Sequence, residues 1–337
     1  MIEARLYQKL GGEKVKCEAC PHECQILPEN RGICSVRENQ NGKLFSLVYG
    51  KAIACNIDPI EKKPLFHFLP GTPSLSIATV GCNLRCMNCQ NWQISQQSKF
   101  TKKIEGEDLP PSKIVEMAAR NKIPSISYTY TEPTIFLEYA FDTMKLAKEK
   151  NIKNCWVTNG YMSEKTLNLI APFLDAANVD LKGFSEEFYQ KYCGARLRPV
   201  LDTLIGMKNK KIWVEVTTLI IPSLNDSEKI LKDIAHFIRS HLGPETPWHV
   251  SQFCGAISWQ LQHLPNTPIE TIKKAWEIGK NEGLKYVYSG NIPGDPTEDT
   301  YCPECKARTI ERTGFAIKRY DKEGRCQKCG EDLNIIE

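Results

Sequence analysis

Two kinds of hydrophobic pattern alternate along the central part of the chain. Short runs of β-branched and aromatic residues predict strands, and the segments between them repeat apolar residues with helical spacing. The predicted strands are Leu75–Val80, Ser125–Tyr130, Asn154–Thr158, Ala177–Leu181, Trp213–Ile220, Pro247–Phe253 and Tyr286–Tyr288. The predicted helices are Ile114–Arg120, Ile135–Lys150, Glu164–Leu174, Glu186–Tyr192, Leu201–Asn209, Ser227–Leu242 and Thr271–Gly283. This alternation predicts an α/β protein with a parallel sheet, either an open doubly wound sheet or a barrel.

Polar motifs follow several of the predicted strands, and their distribution favours a partial barrel over an open sheet. In a barrel of parallel strands, the carboxyl ends of the strands converge on one site. A chain of 337 residues is long enough for one such domain with small appendages.

The 15 cysteines fall into three groups that divide the chain into modules. We predict an N-terminal Cys-rich extension over residues 1–70, a barrel over 71–296 and a zinc-ribbon-like module over 297–337. Paired C-x2-C motifs in a chain without an export signal indicate metal binding rather than disulfides. We therefore expect a reducing, cytoplasmic location.

Charge and hydropathy narrow the range of partners. The 44 basic and 40 acidic residues leave a net charge of +4, too balanced to favour nucleic acid by itself. No run of about 18 apolar residues is present, and residues 1–10 lack the pattern of a signal peptide. We expect no membrane association.

Cys82, Cys86 and Cys89 follow the first predicted strand in the pattern C-x3-C-x2-C. They supply three thiolates where a 4Fe-4S cluster needs four, so one iron stays open. Structural zinc would need a fourth ligand nearby, and none stands between Ala78 and Ile94. The pattern resembles the signature of the radical S-adenosylmethionine (SAM) superfamily. The resemblance implies that SAM chelates the open iron and is cleaved to methionine and a 5'-deoxyadenosyl radical.

The second predicted strand is followed by Tyr130-Thr131-Glu132-Pro133, where the superfamily often carries Gly-Gly-Glu-Pro. The resemblance implies that Glu132 receives the methionyl amine of SAM, although two glycines are replaced here. On local grounds alone, Glu132 is an acid in the first turn of a helix that Pro133 begins.

Two later strands end in motifs similar to those of glycyl-radical activating enzymes, namely Thr-Asn-Gly at residues 158–160 and Asp-Leu-Lys at residues 180–182. The resemblance places Asn159 beside SAM. Lys182 can neutralise the methionyl carboxylate, and Asp180 can accept hydrogen bonds from ribose hydroxyls. An ordinary turn and a solvated ion pair are the alternatives.

Three further residues are candidates at the last predicted strands. His249 alternates with Ser251 as an inward-facing strand residue should, and Asn291 lies in a glycine-punctuated loop suited to close approach by a ligand. We include both as candidate cofactor contacts. Cys254 ends the sixth strand and is a candidate catalytic residue, with an inert buried thiol as the alternative.

These motifs, the segment Pro59–Gly71 and Trp248-His249 together resemble one family along nearly the whole chain. It is the pyruvate formate-lyase activating enzyme-like radical SAM protein of the AmmeMemoRadiSam system. The resemblance implies a partial (β/α)6-type barrel and an oxidoreductase supplied by a one-electron donor such as a flavodoxin or ferredoxin. It also implies a possible protein substrate on which a glycyl radical forms. Phe253–Gly255 departs from the family pattern. Modification of a small molecule or RNA, and a metal-binding scaffold without enzymatic activity, remain alternatives.

The terminal cysteine sets predict further metal sites. Cys302, Cys305, Cys326 and Cys329 have the two-knuckle spacing of a zinc ribbon, with an auxiliary iron-sulfur cluster as the alternative. The basic segment Arg308–Arg319 between the knuckles is weak support for nucleic acid. The N-terminal set is less regular, has His22 as a competing ligand, and fits either zinc or an iron-sulfur cluster. It consists of Cys17, Cys20, Cys24 and Cys34.

Overall fold

The computed structural model describes residues 1–337 and is built around one eight-stranded sheet. Its strands are β1 (Ala54–Pro59), β2 (Pro73–Ala78), β3 (Ser125–Tyr128), β4 (Lys153–Thr158), β5 (Ala176–Asp180), β6 (Trp213–Ile220), β7 (Trp248–Gln252) and β8 (Val287–Gly290). Each strand pairs with its sequence neighbour, and all pairs are parallel except β1 with β2. Because β1 and β8 do not pair with each other, the barrel is partial, as predicted.

Helices connect the parallel strands. The longer ones are α1 (Pro111–Arg120), α2 (Leu137–Glu149), α3 (Glu164–Ile170), α4 (Leu197–Asn209), α5 (Glu228–Phe237) and α6 (Ile269–Asn281). Short helical turns cover Ile60–Lys62, Trp92–Ser95, Gln97–Thr101, Pro133–Phe136, Glu186–Phe188, Tyr189–Cys193, Ile238–Leu242, Gly255–Ile257 and Pro296–Glu298. The Ser163 and Ser227 hydroxyls cap α3 and α5 by accepting from backbone amides in the first turn.

The two faces of the sheet differ in polarity. Outward side chains such as Val179 and Val250 pack against the helices in a core of 56 buried residues. Inward side chains are polar and hydrogen-bond to one another: Asn178 Oδ1 accepts from Thr217 Oγ1 at 2.9 Å. This alternation follows from the period of two along a strand, and it lines the barrel interior with hydrogen-bonding groups.

A segment between β1 and β2 closes the barrel where β6 and β7 begin. The amides of Phe66 and His67 each donate to the Glu215 carboxylate at 2.9 Å, and the Phe66 ring packs edge-on against His249. We call residues 60–71 the floor segment. It is largely buried and is part of the barrel core.

Small antiparallel sheets extend the barrel at both termini. Two three-stranded sheets are formed by Ile2–Glu3, Tyr7–Lys9, Val15–Cys17, Gln25–Ile26, Arg37–Gln40 and Lys43–Ser46. A two-stranded pair joins Lys51–Ala52 to Glu107–Asp108, and a C-terminal sheet contains Thr300–Tyr301, Arg308–Thr313 and Ala316–Arg319. None of the helices has both the length and the apolar composition that crossing a membrane requires.

Candidate active site

The cysteine loop begins at the carboxyl end of β2. Gly81 has φ +99°, and a Cβ on it would lie 2.7 Å from Val36 Cγ1 and 3.0 Å from the Cys34 carbonyl oxygen. A glycine is therefore required for the loop to press against the N-terminal module. Farther along, the amides of Arg85 and Met87 donate to backbone carbonyls of residues 193 and 192 at 2.9 Å each, which fixes the loop against the turn after β5.

Cys82, Cys86 and Cys89 are buried or half-buried in this loop. Cys82 Sγ accepts from the Leu84 amide at 3.4 Å, and Cys89 Sγ lies 3.3 Å from Ser95 Oγ. Burial raises the pKa of Cys82 and of Cys89, so iron would supply the positive charge that stabilises their thiolates. The three sulfur atoms do not converge on one point within 4.8 Å. A cluster in which each thiolate binds a different iron fits this arrangement.

Cys193, which the sequence did not single out, lies against Cys86. Interaction with the Cys193 thiol, ahead of burial, raises the pKa of Cys86 well above its ordinary value. A thiolate on the fourth iron of a cube would stand apart from Cys86, because the four ligands bind different corners. The position of Cys193 therefore suits a partner of the Cys86 sulfur rather than a fourth ligand.

Glu132 is fully buried and connects the ends of β3 and β4. Its Oε1 accepts from the Thr134 amide at 3.0 Å, the Thr134 hydroxyl at 2.6 Å and the Thr158 hydroxyl at 2.8 Å. Its Oε2 accepts only from the Asn159 amide, at 2.8 Å. Burial raises the pKa of Glu132 although these hydrogen bonds oppose the shift. The free lone pair of Oε2 is where a cationic group could be bound.

Asn159 and Asn83 form an amide pair that joins the turn after β4 to the cysteine loop. Asn159 Nδ2 donates to Asn83 Oδ1 at 2.9 Å and lies 3.8 Å from Cys82 Sγ. Asn83 Nδ2 donates in turn to the Tyr161 carbonyl at 2.8 Å. Asn159 therefore lies at the cysteine loop.

Asp180 and Lys182 lie at the end of β5, and Lys182 Nζ donates to Asp180 Oδ2 at 2.8 Å. Burial acts to lower the pKa of Lys182, but the Asp180 carboxylate raises it well above its ordinary value. The ammonium thus stays charged beside the cysteine loop. It is placed to bind an anion there.

Tyr130 occupies a position where the superfamily motif has glycine, and it adopts the left-handed conformation with φ +64°. Its hydroxyl donates to Asp58, and Lys63 Nζ lies 4.7 Å above its ring. Lys63 also donates to Asp58 at 2.6 Å. These contacts offset the cost of a non-glycine residue in this conformation. Neither Asp58 nor Lys63 was predicted, since their relation to Tyr130 exists only after folding.

The other predicted residues lie at the rim or inside the barrel. Cys254 precedes a rim loop that contacts the cysteine loop, where the Gln260 amide donates to the Met87 carbonyl at 2.8 Å. Asn291 is exposed, with Nδ2 donating to the Gln252 carbonyl at 2.9 Å. His249 instead lies near the start of β7 and bonds Glu215 at 2.7 Å. This places it by the floor segment, so we do not retain His249 among the proposed cofactor contacts.

The C-terminal cysteines form a compact site. Cys302 and Cys329 have their sulfur atoms 3.5 Å apart, those of Cys305 and Cys326 are 3.6 Å apart, and all four lie within 4.8 Å of one another. These separations match the edge of about 3.8 Å in a tetrahedron of metal–sulfur bonds. Although burial opposes it, backbone amides lower the pKa of Cys326 to about 7. The set has the geometry of a site for one metal ion.

Two arginines of this module form hydrogen bonds or ion pairs with other groups of the protein. The buried Arg312 donates to the Phe66 carbonyl at 3.1 Å, with its guanidinium 4.2 Å above the Phe66 ring. Arg319 pairs with both Asp321 and Glu337. The contact of Arg312 with Phe66 attaches the module to the floor segment.

The N-terminal cysteines line one cavity together with Arg37 and Asn83. Cys17 and Cys34 are buried, while Cys20 and Cys24 are half-buried. No three of these thiols, with or without His22, bring their ligand atoms within 4.8 Å of one another. His22 Nε2 is instead hydrogen-bonded to the Asn83 carbonyl at 2.9 Å.

A partial barrel of parallel strands with a three-cysteine loop after its first parallel strand defines a radical SAM protein. Residues 76–238 match the profile of the radical SAM superfamily, and the chain belongs to this superfamily. Membership implies a 4Fe-4S cluster and SAM. The chain is 48% identical over 339 residues to an uncharacterised protein of Methanocaldococcus jannaschii, with 100% of both chains covered.

Two characterised proteins show how far the similarity extends. A pyruvate formate-lyase-activating enzyme of Clostridium pasteurianum is 24% identical over 169 residues, covering 48% of this chain and 67% of that protein. The crystal structure of a radical SAM methyltransferase from Sphaerobacter thermophilus aligns with a TM-score of 0.51 at 15% identity. It covers 66% of this chain and 67% of that chain. The latter similarity supports the fold alone.

Proposed function

We propose that Cys82, Cys86 and Cys89 hold a 4Fe-4S cluster with one iron open to SAM. The enzyme then cleaves SAM reductively and abstracts hydrogen from a bound substrate. The observation that carries this proposal is the thiol loop at the carboxyl ends of the strands, with Asn159 Nδ2 at 3.8 Å from Cys82 Sγ. When bound, the cluster supplies the electron for cleavage of SAM.

The surrounding side chains orient SAM in this proposal. The Lys182 ammonium binds the methionyl carboxylate while it keeps its contact with Asp180. The free lone pair of Glu132 Oε2 accepts from the methionyl amine. Asp180 accepts from the ribose hydroxyls, and Asn159 and Asn291 are further contacts along the rim. The closed floor limits access of water from the opposite end of the barrel.

The test is SAM cleavage by anaerobically reconstituted protein with dithionite, measured as 5'-deoxyadenosine and methionine. A Cys86→Ala change removes one of three thiolates and should abolish cleavage. Cys55→Ala is a matched control, since Cys55 is a half-buried cysteine on β1 outside every proposed site. Equal product yields from native and Cys86→Ala protein would contradict the proposal.

An activase-like reaction on a protein segment is the substrate class that the rim favours. Phe100 and Ile257 are 72% and 53% exposed, and the Phe100 ring lies 6.3 Å from that of Trp259. Both flank the cysteine loop, which Ser258 Oγ contacts by donating to the Met87 carbonyl at 3.2 Å. Exposed apolar residues gathered beside an active site are typical of a surface that binds a polypeptide.

Isotope transfer tests the substrate class. Protein, RNA and small-molecule fractions of an extract from cells grown on glycine deuterated at Cα are each incubated with the enzyme, SAM and a reduced flavodoxin as one-electron donor. Deuterium in 5'-deoxyadenosine should arise from the protein fraction, and Phe100→Ser should reduce that transfer. Transfer from the RNA or small-molecule fraction alone would exclude the activase reaction. Lys229→Ser, on the exposed face of α5, is the control change.

We also propose zinc for Cys302, Cys305, Cys326 and Cys329, because four thiols at tetrahedral separations saturate one ion and leave no position for chemistry. Its contribution is to hold the module that carries Arg312 against the floor segment.

A further inference from the structure

The two terminal cysteine sets have different geometry although each has four thiols. Those of the C-terminal set lie within 4.8 Å of one another, as ligands of a single ion must. The N-terminal thiols line one cavity, but no three of them lie within 4.8 Å of one another. Thiolates that bind separate irons of a cube surround the inorganic core and stay farther apart than ligands of one ion. The C-terminal set therefore shows the thiol separations expected of a site for one metal ion, and the N-terminal set differs from it.

We propose that Cys17, Cys20, Cys24 and Cys34 hold a second iron-sulfur cluster, of the 4Fe-4S type, which passes single electrons to the cluster at Cys82. The electron-transfer step rests on the function proposed above, whereas the presence of the second cluster does not. Because four cysteines occupy all four irons, this cluster has no open position for SAM or substrate. A cluster without an open position can still accept and donate single electrons, so we assign electron transfer to it.

Arg37 provides an independent indication of an anionic occupant. Its side chain is only 2% exposed and lines the cavity. Two of its guanidinium nitrogens, Nη1 and Nη2, bind Glu138 at 3.1 and 2.7 Å, but the buried Nε has no hydrogen-bond partner. A buried donor without a partner is costly, and a cluster sulfur within the cavity would accept its hydrogen. The guanidinium also offsets part of the negative charge that four thiolates bring to a cluster.

The cavity adjoins the cysteine loop of the active site. Asn83, which follows Cys82 directly, is one of the lining residues. The Cys34 carbonyl lies against Gly81, and His22 from the cavity wall bonds the Asn83 carbonyl at 2.9 Å. Lys99 Nζ donates to the Leu84 carbonyl in the cysteine loop at 2.6 Å, and its neighbour Ser98 accepts from Ser35 Oγ, next to Cys34, at 2.9 Å. The second cluster would therefore be separated from the first by little more than the wall formed by residues 81–83.

The relay is a sequence of one-electron steps. A low-potential one-electron donor, such as a reduced flavodoxin, reduces the second cluster by one electron. That electron then reduces the cluster at Cys82, and the second cluster returns to its oxidised state. No bond is made or broken within the relay, and the donor ends oxidised by one electron.

Metal analysis tests the second cluster without any measurement of activity. Anaerobically reconstituted native protein should carry about eight irons and eight sulfides, from two four-iron clusters, and about one zinc. A triple variant with Cys82, Cys86 and Cys89 changed to alanine should retain about four irons. The Cys20→Ala/Cys24→Ala variant should lose the other four and keep the electron paramagnetic resonance signal that shifts on addition of SAM.

The outcomes separate this proposal from the previous one. Native protein with about four irons and two zinc ions, or with four irons and an empty N-terminal site, would overturn the second cluster. Iron retained equally by native and triple-variant protein would count against the cluster at Cys82 and leave the second cluster standing. If the Cys20→Ala/Cys24→Ala chain does not fold, the iron content of the triple variant still tests whether the second cluster is present.

Rapid-freeze paramagnetic resonance tests the relay. Reduced flavodoxin should reduce the cluster at Cys82 in native protein, and the Cys20→Ala/Cys24→Ala variant should lose this reduction while dithionite still reduces that cluster. Equal rates of reduction by flavodoxin in the two proteins would overturn the relay.

Discussion

Replacing Arg37 by methionine should destabilise the protein strongly, because it removes one partner of a fully buried ion pair. Arg37 on the N-terminal module and Glu138 on α2 have side-chain exposures of 2% and 0%. Two hydrogen bonds join them, at 3.1 and 2.7 Å. Without Arg37, the Glu138 carboxylate keeps a single donor, the Arg5 amide at 2.9 Å.

The magnitude follows from the charge that remains. Removing one member of a buried pair costs about 3 to 5 kcal/mol, since the other charge is left uncompensated. Arg5→Met is the matched control, because its side chain pairs with Asp142 at 3.0 Å but both groups are partly exposed, at 42% and 25%. An exposed pair of this kind contributes less than about 1 kcal/mol.

The assay is urea unfolding of the two variants and native protein at equal iron content. Arg37→Met should lower the unfolding midpoint far more than Arg5→Met does. Adding Glu138→Gln to Arg37→Met should recover part of the loss, since no buried charge then lacks a partner. If Arg37→Met and Arg5→Met shift the midpoint equally, or if Glu138→Gln gives no recovery, the pair does not act as a buried charge pair.

Three further changes are predicted from the structure. Lys182→Met should weaken SAM binding roughly tenfold to a hundredfold through loss of a charge-assisted hydrogen bond of about 1.5 to 3 kcal/mol. Unchanged affinity in calorimetry, with Lys229→Met as the exposed control, would remove Lys182 from the site. Burial lowers the pKa of His67 from 6.5 to about 4, so the unfolded chain binds a proton that the folded protein does not. Stability should therefore fall as pH decreases from above 6.5 towards 4, by about 2 kcal/mol between pH 7.5 and 5, and His67→Gln should lack this component of the dependence in urea unfolding. Cys326→Ser should release about one zinc and also loosen the barrel floor, which hydrogen exchange at residues 60–71 would detect. Unaltered exchange there would show that the floor does not depend on the metal.

The seven parallel strands and most helix positions were predictable because their signals are local. Each of these strands is a short segment with at least one β-branched or aromatic residue, and each helix carries a periodic apolar face. The antiparallel strand β1 was missed, since its sequence Ala-Cys-Asn-Ile-Asp-Pro is polar and ends in proline. The helix predicted to reach Leu174 ends at Ile170. Helix ends depend on the turn that follows more than on periodicity.

The candidate site also contains some residues that local sequence predicts and others that come together only on folding. The three-cysteine spacing lies within eight residues and by itself predicts an iron-sulfur loop. The contact of Cys193 with Cys86, separated by more than a hundred positions, depends on how the turn after β5 packs against that loop. The same holds for Tyr130, whose left-handed backbone is supported by Asp58 and Lys63 from a different strand and turn.

The sequence by itself determined the class of fold and the superfamily, since hydrophobic periodicity and close cysteine spacing are local signals that do not depend on distant contacts. Only the tertiary structure decided which polar residues meet. His249 was expected among the cofactor contacts, but its bond to Glu215 places it by the floor segment. Likewise, the spacing of the N-terminal cysteines fits zinc or an iron-sulfur cluster equally. The separation of these thiols depends on how the surrounding sheets pack, and it is wider than the separation within the C-terminal set.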